Sequence, residues 1–364
     1  MGEKEQSAEL EGLIRQLTEK PARPLPDLTP QQIYDELAVF VIGQEKAKRK
    51  IALAAYNHIK KLKYNLAHPE QPLVKSNILL YGPTGCGKTH IARTLARILD
   101  LAIVIVDATD YTEAGYYGKD VETIIGELLL RTGSVEEAQK GVVFVDEIDK
   151  IAIRRGGLRT GAGNRDIGGE GVQQALLKLL EGRTVYAPLD VTQHWSRHDF
   201  VQVAVTNVLF ICAGAFSDLA RSRDRIVGGF SGASSTPGST RGISAEELQK
   251  YGFMPEFIGR LPIRISMDAL TDQEMLEVLT VPPDSILNEY RKLLELDDIS
   301  LVIEEDAFQP IISHVQSKTM GARTLRTVME EVLEETMFEA PNLRGTTVYL
   351  TRPVVARRLE RIED

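Results

Sequence analysis

The sequence predicts an α/β protein in which a large domain with a parallel sheet is followed by a smaller, mostly helical domain. Short apolar runs alternate with amphipathic segments, which is the pattern of a parallel sheet covered by helices on both faces. The apolar runs are NILLYG, AIVIVDA, VVFVDEID and VLFICAGAF, and the amphipathic segments between them are THIARTLARIL, VETIIGELLLRT and VQQALLKLLEG. After PEFIGRLPIRI the pattern becomes helical, beginning at a capping box formed by Thr271 and Glu274.

Three segments follow from this pattern. Residues 1–29 are predicted to be a flexible tail, because they are polar, lack periodicity and contain the proline-rich PARPLPD. The large domain is predicted over residues 30–262, beginning with a helix that Thr29 can cap and that has Pro30 in its first position. The small domain is predicted over residues 263–364, with TVYLTR as a strand near its end.

The composition excludes several classes of protein. Of the 364 residues, 43% are hydrophobic and 26% are charged, which is typical of a globular chain long enough for two domains. The formal net charge of -9 argues against a protein that binds a nucleic-acid backbone by bulk charge. Two cysteines, Cys86 and Cys212, are too few for a disulfide framework or a four-cysteine zinc site. Because the sequence shows neither an apolar signal region nor a run long enough to span a bilayer, we expect a cytoplasmic protein.

A phosphate-binding loop is predicted between the strand NILLY and the helix HIARTLARIL. The sequence GPTGCGKT fits the pattern G-x-x-x-x-G-K-[ST] in the structural context that the pattern requires. Backbone N–H groups of such a loop surround phosphate oxygens, Lys88 reaches the β and γ phosphates, and Thr89 offers its hydroxyl to Mg²⁺. The predicted nucleotide contacts here are Gly82, Pro83, Thr84, Gly85, Cys86, Gly87, Lys88, Thr89 and His90. Cys86 occupies a variable position of the pattern and is interpreted as a small filler.

A pair of carboxylates follows the strand GVVFV. Asp146 and Glu147 come at its carboxyl end, which is the edge where open parallel sheets bind their ligands. We expect Asp146 to hold Mg²⁺ through water, and Glu147 to orient and deprotonate the attacking water. The residues therefore predict hydrolysis of a nucleoside triphosphate. ATP is preferred over GTP, because the base-reading signature Asn-Lys-x-Asp does not occur.

Together these motifs resemble the AAA+ ATPases and, within them, the ClpX family of hexameric unfoldases that feed the ClpP peptidase. The resemblance covers about residues 30 to 350 and is most specific in LYGPTGCGKT, TEAGYYGKDVE, VFVDEIDKI, RDIGGEGVQQALLKLLEG, FICAGAF, MPEFIGRLP and GARTLR. It implies an apolar contact of Val41 and Ile42, in VIGQ, with the adenine. Arg260 is similar to the arginine finger that reaches the γ-phosphate of a neighbouring subunit. Arg323 resembles the sensor-2 arginine, which contacts bound nucleotide from the small domain.

The resemblance also assigns roles in a substrate pore. GYYG is similar to the pore-1 loop, with Tyr116 in the aromatic position and Tyr117 in the hydrophobic one. Such tips grip an extended chain through apolar contact, and the glycines let the loop move. Tyr117 is also open to a role in anchoring the loop on its own domain. Arg165 matches the pore-2 loop, whereas Arg154, Arg155 and Arg159 before it are as well explained as solvated charges.

The sequence departs from the family pattern in several places. With only two cysteines, we expect no N-terminal four-cysteine zinc domain of the kind found in the family, and no docking through it. The Arg-Lys-His loop of the family aligns with Gln193, His194 and Trp195, which leaves the recognition of a particular tag open. The peptidase-docking loop has its nearest equivalent in Ile226, Val227, Gly228, Gly229 and Phe230, and an ordinary loop or a different peptidase partner remains open. The strand FICAGAF ends without a polar sensor residue.

The resemblance thus implies an ATP-driven homo-hexameric ring that unfolds and threads protein substrates, with ATP and Mg²⁺ as cofactors and a ClpP-type peptidase as partner. We expect no peptidase site in this chain, because neither a nucleophile elbow nor a metalloprotease helix occurs. A stand-alone protein-remodelling chaperone is the alternative, favoured by the altered docking loop. A nucleic-acid motor is disfavoured by the acidic charge and by aromatics, rather than lysines, in the pore loop.

Overall fold

The computed structural model describes residues 23–112, 119–153, 167–188, 200–219, 242–317 and 321–363. The chain divides into two compact units. The first, here called the sheet unit, takes the described residues of Met1–Tyr34, Arg49–Gly82 and Ile91–Ser266. The second, the helical unit, takes those of Asp35–Lys48, Pro83–His90 and Met267–Asp364. Two short segments from the N-terminal part of the chain are therefore grouped with the C-terminal residues.

A five-stranded parallel sheet is the centre of the sheet unit. This confirms the predicted parallel α/β fold. Its strands are β1 (Ile78–Tyr81), β2 (Ile103–Asp107), β5 (Val142–Asp146), β8 (Leu209–Gly214) and β9 (Ile263–Ser266). Their order in the sheet is β2-β5-β8-β1-β9. β1 and β8 are buried along their whole length, because helices cover both faces of the sheet and no position is left for a polar side chain.

The remaining elements of the sheet unit surround this sheet. A short parallel pair and an antiparallel hairpin accompany it. The strands of these pairs are β3 (Tyr111–Thr112), β4 (Lys119–Asp120), β6 (Thr184–Pro188) and β7 (Phe200–Ala204). The helices that lie wholly within the unit are α4 (Thr123–Thr132), α5 (Val135–Ala138), α6 (Ile167–Glu181), α7 (Ala245–Tyr251) and α8 (Pro255–Gly259), with 3₁₀ turns at Ala108–Asp110 and Ile148–Ile151.

Three helices near the start of the chain run from one unit into the other. They are α1 (Pro30–Phe40), α2 (Glu45–Ala67) and α3 (Lys88–Ile98). The predicted start of α1 is confirmed, because Thr29 Oγ1 accepts from the backbone N–H of Gln32 and the Gln32 side chain accepts from the backbone N–H of Thr29.

The helical unit packs its C-terminal helices around a separate apolar core that includes Leu279, Leu294, Val328 and Leu333. The predicted capping box is present, since Thr271 Oγ1 accepts from the Glu274 backbone N–H and the Glu274 carboxylate accepts from that of Thr271. The elements are α9 (Asp272–Thr280), α10 (Ile286–Glu295), β10 (Ser300–Ile303), α11 (Phe308–Ser317), α12 (Arg323–Phe338), β11 (Thr347–Leu350) and α13 (Arg352–Glu363), with 3₁₀ turns at Glu305–Ala307 and Ala340–Asn342. β11 is the strand predicted from TVYLTR, and it pairs in parallel with β10.

Among the helices formed by the described residues, none combines the length and the apolar character needed to cross a membrane.

Candidate nucleotide site

The phosphate loop leaves the sheet at the end of β1 and leads into α3. Gly82 is still joined to the sheet, because its backbone N–H donates to the carbonyl of Gly214 at the end of β8 (3.3 Å). Beyond it, Gly85 and Gly87 have φ of 79° and 95°, in the region that residues with a Cβ rarely adopt. The loop therefore depends on glycine at these positions for its left-handed backbone conformation.

Lys88 and Cys86 lie on the inner side of this loop. The Lys88 side chain is only 9% exposed, and its Nζ donates to the carbonyl of Pro83 (2.9 Å) and lies 3.9 Å from Cys86 Sγ. Burial raises the pKa of the Cys86 thiol and outweighs the opposing effect of the Lys88 charge. Cys86 is therefore a neutral, buried thiol at neutral pH, consistent with the filler role.

The start of α12 packs directly on the phosphate loop within the helical unit. Gly321 has φ +62°, and a Cβ built on it would lie 3.0 Å from the carbonyl oxygen of Thr84 and 3.3 Å from Cα of Gly85. Only glycine allows this approach. Arg323 follows as the first residue of α12 with an exposed side chain. The helical unit thus brings the sensor-2 candidate next to the loop predicted to bind phosphate.

The segment with Val41 and Ile42 is fixed within the same unit. Gln44 Nε2 donates to the Asp268 carbonyl (2.7 Å), and Gln44 Oε1 accepts from the Asp268 backbone N–H (3.0 Å). His90, predicted as a nucleotide contact, has Nε2 3.0 Å from the carbonyl of Phe40. Val41 is buried and Ile42 is half-buried. The structure therefore groups the adenine-pocket candidates, the phosphate loop and Arg323 in one compact unit.

The carboxylate pair lies at the carboxyl edge of the parallel sheet. Asp146 ends β5, and its Oδ1 accepts from the backbone N–H of Glu147 (2.9 Å). Glu147 has φ 53° and ψ 31°, a left-handed conformation that costs a residue with a Cβ about 1–2 kcal/mol. Both side chains are half-buried. Strained conformations of this kind concentrate at functional sites, so Glu147 is the stronger candidate for a chemical role.

Sequence reasoning did not identify Asp149, which joins the end of β8 to this edge. Its side chain is 3% exposed and Oδ1 accepts from the backbone N–H of Ala215 (3.2 Å). A Cβ on Gly214 would lie 2.6 Å from that oxygen and 2.7 Å from the Phe216 ring, so glycine is required there. Two features of the sequence could have pointed to Asp149. VDEIDK contains a second aspartate, and the later strand FICAGAF ends without a polar residue of its own.

Arg260 lies in the sheet unit, directly after α8. Its side chain is 43% exposed, and Nη2 lies 3.2 Å from Oε1 of Glu181, the last residue of α6. Glu181 was missed from sequence, because it sits at the C-terminal end of an ordinary amphipathic helix.

The pore and docking candidates lie outside the described residues. These are Tyr116, Tyr117, Arg165, Arg154, Arg155 and Arg159, the segment with Gln193, His194 and Trp195, and the segment with Ile226, Val227, Gly228, Gly229 and Phe230. The residues on each side of the first segment are described. Thr112 of β3 pairs with Asp120 of β4, so the two ends of the segment with the tyrosines are held together.

Comparison with known proteins gives two family matches. The family model of an AAA domain of the Cdc48 subfamily matches residues 73–264, and that of the C-terminal, D2-small domain of ClpB protein matches residues 270–347. A protein of Wolinella succinogenes, ATP-dependent Clp protease ATP-binding subunit ClpX 2, is 43% identical over 319 residues, covering 87% of this chain and 79% of the relative. The chain belongs to the ClpX family of AAA+ ATPases.

Two further ClpX relatives have similar coverage. The ATP-dependent Clp protease ATP-binding subunit ClpX of Treponema denticola is 38% identical over 330 residues, covering 87% of this chain and 78% of the relative. The protein of the same name from Borrelia duttonii is 38% identical over 345 residues, covering 91% and 79%. Membership of the ClpX family confirms the resemblance seen in the sequence, and membership of the AAA+ ATPases implies that the chain binds nucleotide.

Proposed function

We propose that the chain is an ATP-driven protein unfoldase and translocase that works as a homo-hexameric ring. In this proposal Lys88 binds the β and γ phosphates, and Thr89 and Asp146 hold Mg²⁺. Glu147 orients and deprotonates the attacking water. Arg260 reaches the nucleotide of a neighbouring subunit, and the cation supplies charge neutralisation when bound.

The observation that carries the proposal is the packing of Gly321 on the phosphate loop. The backbone at Gly321 lies so close to Thr84 and Gly85 that no space remains between them. Because such contacts are close-packed, a movement of the phosphate loop must displace the residues at Gly321. Binding and release of phosphate at Thr84 and Gly85 are therefore felt by α12, which begins at Arg323. This contact gives nucleotide state a route from the phosphate loop to α12 within the helical unit, as a motor requires.

The same proposal assigns the grip on substrate to Tyr116, with Tyr117 beside it and Arg165 in a second loop. The paired ends at Thr112 and Asp120 support this role, because a segment held at both ends transmits displacement of its base to its tip. An aromatic tip gives a large contact area at small entropic cost, and it grips a chain without reading its sequence.

A ClpP-type peptidase is the proposed partner. The names of the relatives describe them as ATP-binding subunits of an ATP-dependent Clp protease, which supports this partner for the present chain. The proposed docking residues are Val227, Gly228, Gly229 and Phe230, because a short sequence of apolar residues and glycines suits insertion into a hydrophobic cleft.

The test is ATP-dependent degradation of a tagged substrate with and without ClpP. We expect degradation with ATP and ClpP together, and none when either is left out or when the chain carries Glu147→Gln. Unfolding that requires ATP but gives no degradation with ClpP would instead support the stand-alone chaperone. Hydrolysis stimulated by DNA and not by unfolded protein would contradict both.

A further inference from the structure

The backbone of Arg260 is fixed by a buried amide. Its carbonyl accepts from Asn77 Nδ2 (2.9 Å), and the same nitrogen donates to the carbonyl of Leu180 (3.1 Å). Asn77 is 1% exposed at the start of β1. One side-chain amide therefore joins the residue proposed as arginine finger to the last turn of α6.

The side chain of Arg260 is fixed by the next residue of that helix. Glu181 Oε1 lies 3.2 Å from Arg260 Nη2, and Glu181 Oε2 lies 2.6 Å from Arg183 Nη2. The Glu181 side chain is 18% exposed, against 43% for Arg260 and 68% for Arg183. The carboxylate is the most buried of the three groups, so it is the fixed member to which the two guanidinium groups are held.

Stability of the fold does not explain this pair. An ion pair between a half-exposed arginine and a carboxylate adds little to the free energy of folding. What the carboxylate does change is the orientation of the planar guanidinium, which has five N–H donors. Glu181 occupies one edge of that group, and the remaining donors stay available for phosphate oxygens.

We infer that Glu181 is a positioning residue for the arginine finger, holding the Arg260 guanidinium in the orientation that a neighbouring subunit's γ-phosphate requires. This rests on the proposed function, in which Arg260 acts on a neighbouring nucleotide. Holding the side chain before the encounter removes conformational freedom that would otherwise be lost in the transition state. Asn77 restrains the backbone of Arg260 through its hydrogen bond to the Arg260 carbonyl.

The experiment compares the ATPase kinetics of five variants with those of the unmodified chain. They are Arg260→Ala, Glu181→Ala, Glu181→Gln, the double variant of Arg260→Ala with Glu181→Ala, and Arg183→Ala as the matched control. Ring assembly with ATP and the melting temperature are measured for each variant. If Glu181→Ala folds poorly, Glu181→Gln, which keeps the size of the side chain, tests the inference in its place.

We expect Arg260→Ala to lower kcat about a thousandfold, as loss of an arginine finger does. Glu181→Ala should lower kcat about tenfold with the KM for ATP changed less than about twofold, because orientation and not binding is lost. The double variant should match Arg260→Ala alone, since Glu181 acts only through Arg260. The kcat of Glu181→Gln should lie between those of the unmodified chain and Glu181→Ala. The kcat of Arg183→Ala should match that of the unmodified chain.

The two ideas fail in different ways. Full activity of Arg260→Ala would overturn the finger assignment in the proposed function, and the inference with it. An inactive Arg260→Ala beside a fully active Glu181→Ala would overturn the inference alone. So would a double variant whose loss is the product of the two single losses, since Glu181 would then act independently of Arg260.

Discussion

In the helical unit the phosphate loop is shaped by glycine backbone and close packing, whereas in the sheet unit the proposed catalytic groups are held by strand ends and buried polar side chains. Gly85, Gly87 and Gly321 allow the first arrangement. Buried polar side chains stabilise the second arrangement. Asp149 accepts from a backbone N–H at the end of β8. Asn77 donates to two carbonyls, one in the last turn of α6 and one at Arg260.

This difference determines which substitutions each region tolerates. Around the phosphate loop, an added Cβ removes space that the backbone needs, while exchange of a small side chain changes little. In the sheet unit, loss of a polar group leaves buried hydrogen-bonding partners unsatisfied, which costs about 1–3 kcal/mol per group. Substitutions at the phosphate loop and in the buried sheet unit therefore test this contrast.

The largest effect is expected for Glu147→Gln. The amide keeps the shape of the side chain but cannot accept a proton, so kcat should fall by about 10² to 10⁴ while ATP still binds. Hydrolysis is measured by phosphate release, and ATP binding by fluorescence of a labelled nucleotide. Glu360→Gln, an exposed position on α13, is the matched control. Normal turnover of Glu147→Gln would remove the assigned base.

A pH effect on stability is expected from His58, a buried residue of α2 in the sheet unit. Burial lowers the pKa of His58 from 6.5 to about 4, with smaller effects of the charges of Lys75 and Lys61. As the pH falls through 6.5, His58 is protonated in the unfolded chain, whereas in the folded chain it stays neutral down to about pH 4. Stability is therefore lost between these values, by about 2 kcal/mol at pH 5.

Urea denaturation at pH 7.5 and pH 5 measures this loss. His58→Gln does not titrate at this position, so the difference between the two pH values should be smaller for that variant by about 2 kcal/mol. His68→Gln removes an exposed histidine and should behave as the unmodified chain. Burial lowers the pKa of Lys75 to about 7, so the folded chain also takes up a proton on this lysine between pH 7.5 and pH 5. Lys75 is present in every variant, so the comparison of His58→Gln with the unmodified chain removes its contribution. An equal loss in His58→Gln and the unmodified chain would contradict the assignment.

The close contact at Gly321 gives the next effect. Gly321→Ala places a Cβ 3.0 Å from the Thr84 carbonyl oxygen, so the phosphate loop must shift, and we expect ATP affinity to fall about tenfold. Gly345→Ala is the matched control, because its φ of +73° carries similar strain but no atom lies within 4 Å of the added Cβ. Both variants should lose about 1–2 kcal/mol of stability, and only the first should lose affinity. Equal affinities would show that the contact is unimportant for binding.

The smallest effect is expected for Cys86→Ser. Serine is nearly the same size as cysteine, and the side chain at this position lies near the Nζ of Lys88. ATP affinity should therefore change less than about threefold. Cys212→Ser, in the fully buried strand β8, should instead cost about 1–3 kcal/mol of stability, because it buries a hydroxyl among apolar side chains. Titration of labelled ATP and a melting curve separate the two outcomes. A Cys86→Ser variant unable to bind ATP would give Cys86 a direct role in the site.

Much of the fold could be read from the sequence because the central strands are continuous apolar runs. VVFV before Asp146 and Glu147, and ILLY before the phosphate loop, place both motifs at strand ends. Local patterns also located the capping box of Thr271 and Glu274. These features depend on residues close together in the sequence.

The remaining features depend on residues far apart in sequence, which no local pattern reports. The grouping of Asp35–Lys48 with the C-terminal residues rests on contacts such as Gln44 with Asp268. The Glu181–Arg260 ion pair joins the end of one helix to the residue after another. Glu181 and Arg260 are 79 residues apart, so the sequence around either residue does not predict that their side chains meet.

The most direct test of the central claim is the unfolding of a stable fluorescent protein, carrying an unstructured tail, by the assembled ring. The unmodified chain should abolish fluorescence in the presence of ATP and not with a non-hydrolysable analogue. Tyr116→Ala should hydrolyse ATP at a rate within about twofold of the unmodified chain and leave the fluorescent protein folded, since only the grip is lost. Unfolding by Tyr116→Ala at the unmodified rate, or unfolding without ATP hydrolysis, would contradict an ATP-driven grip on the substrate.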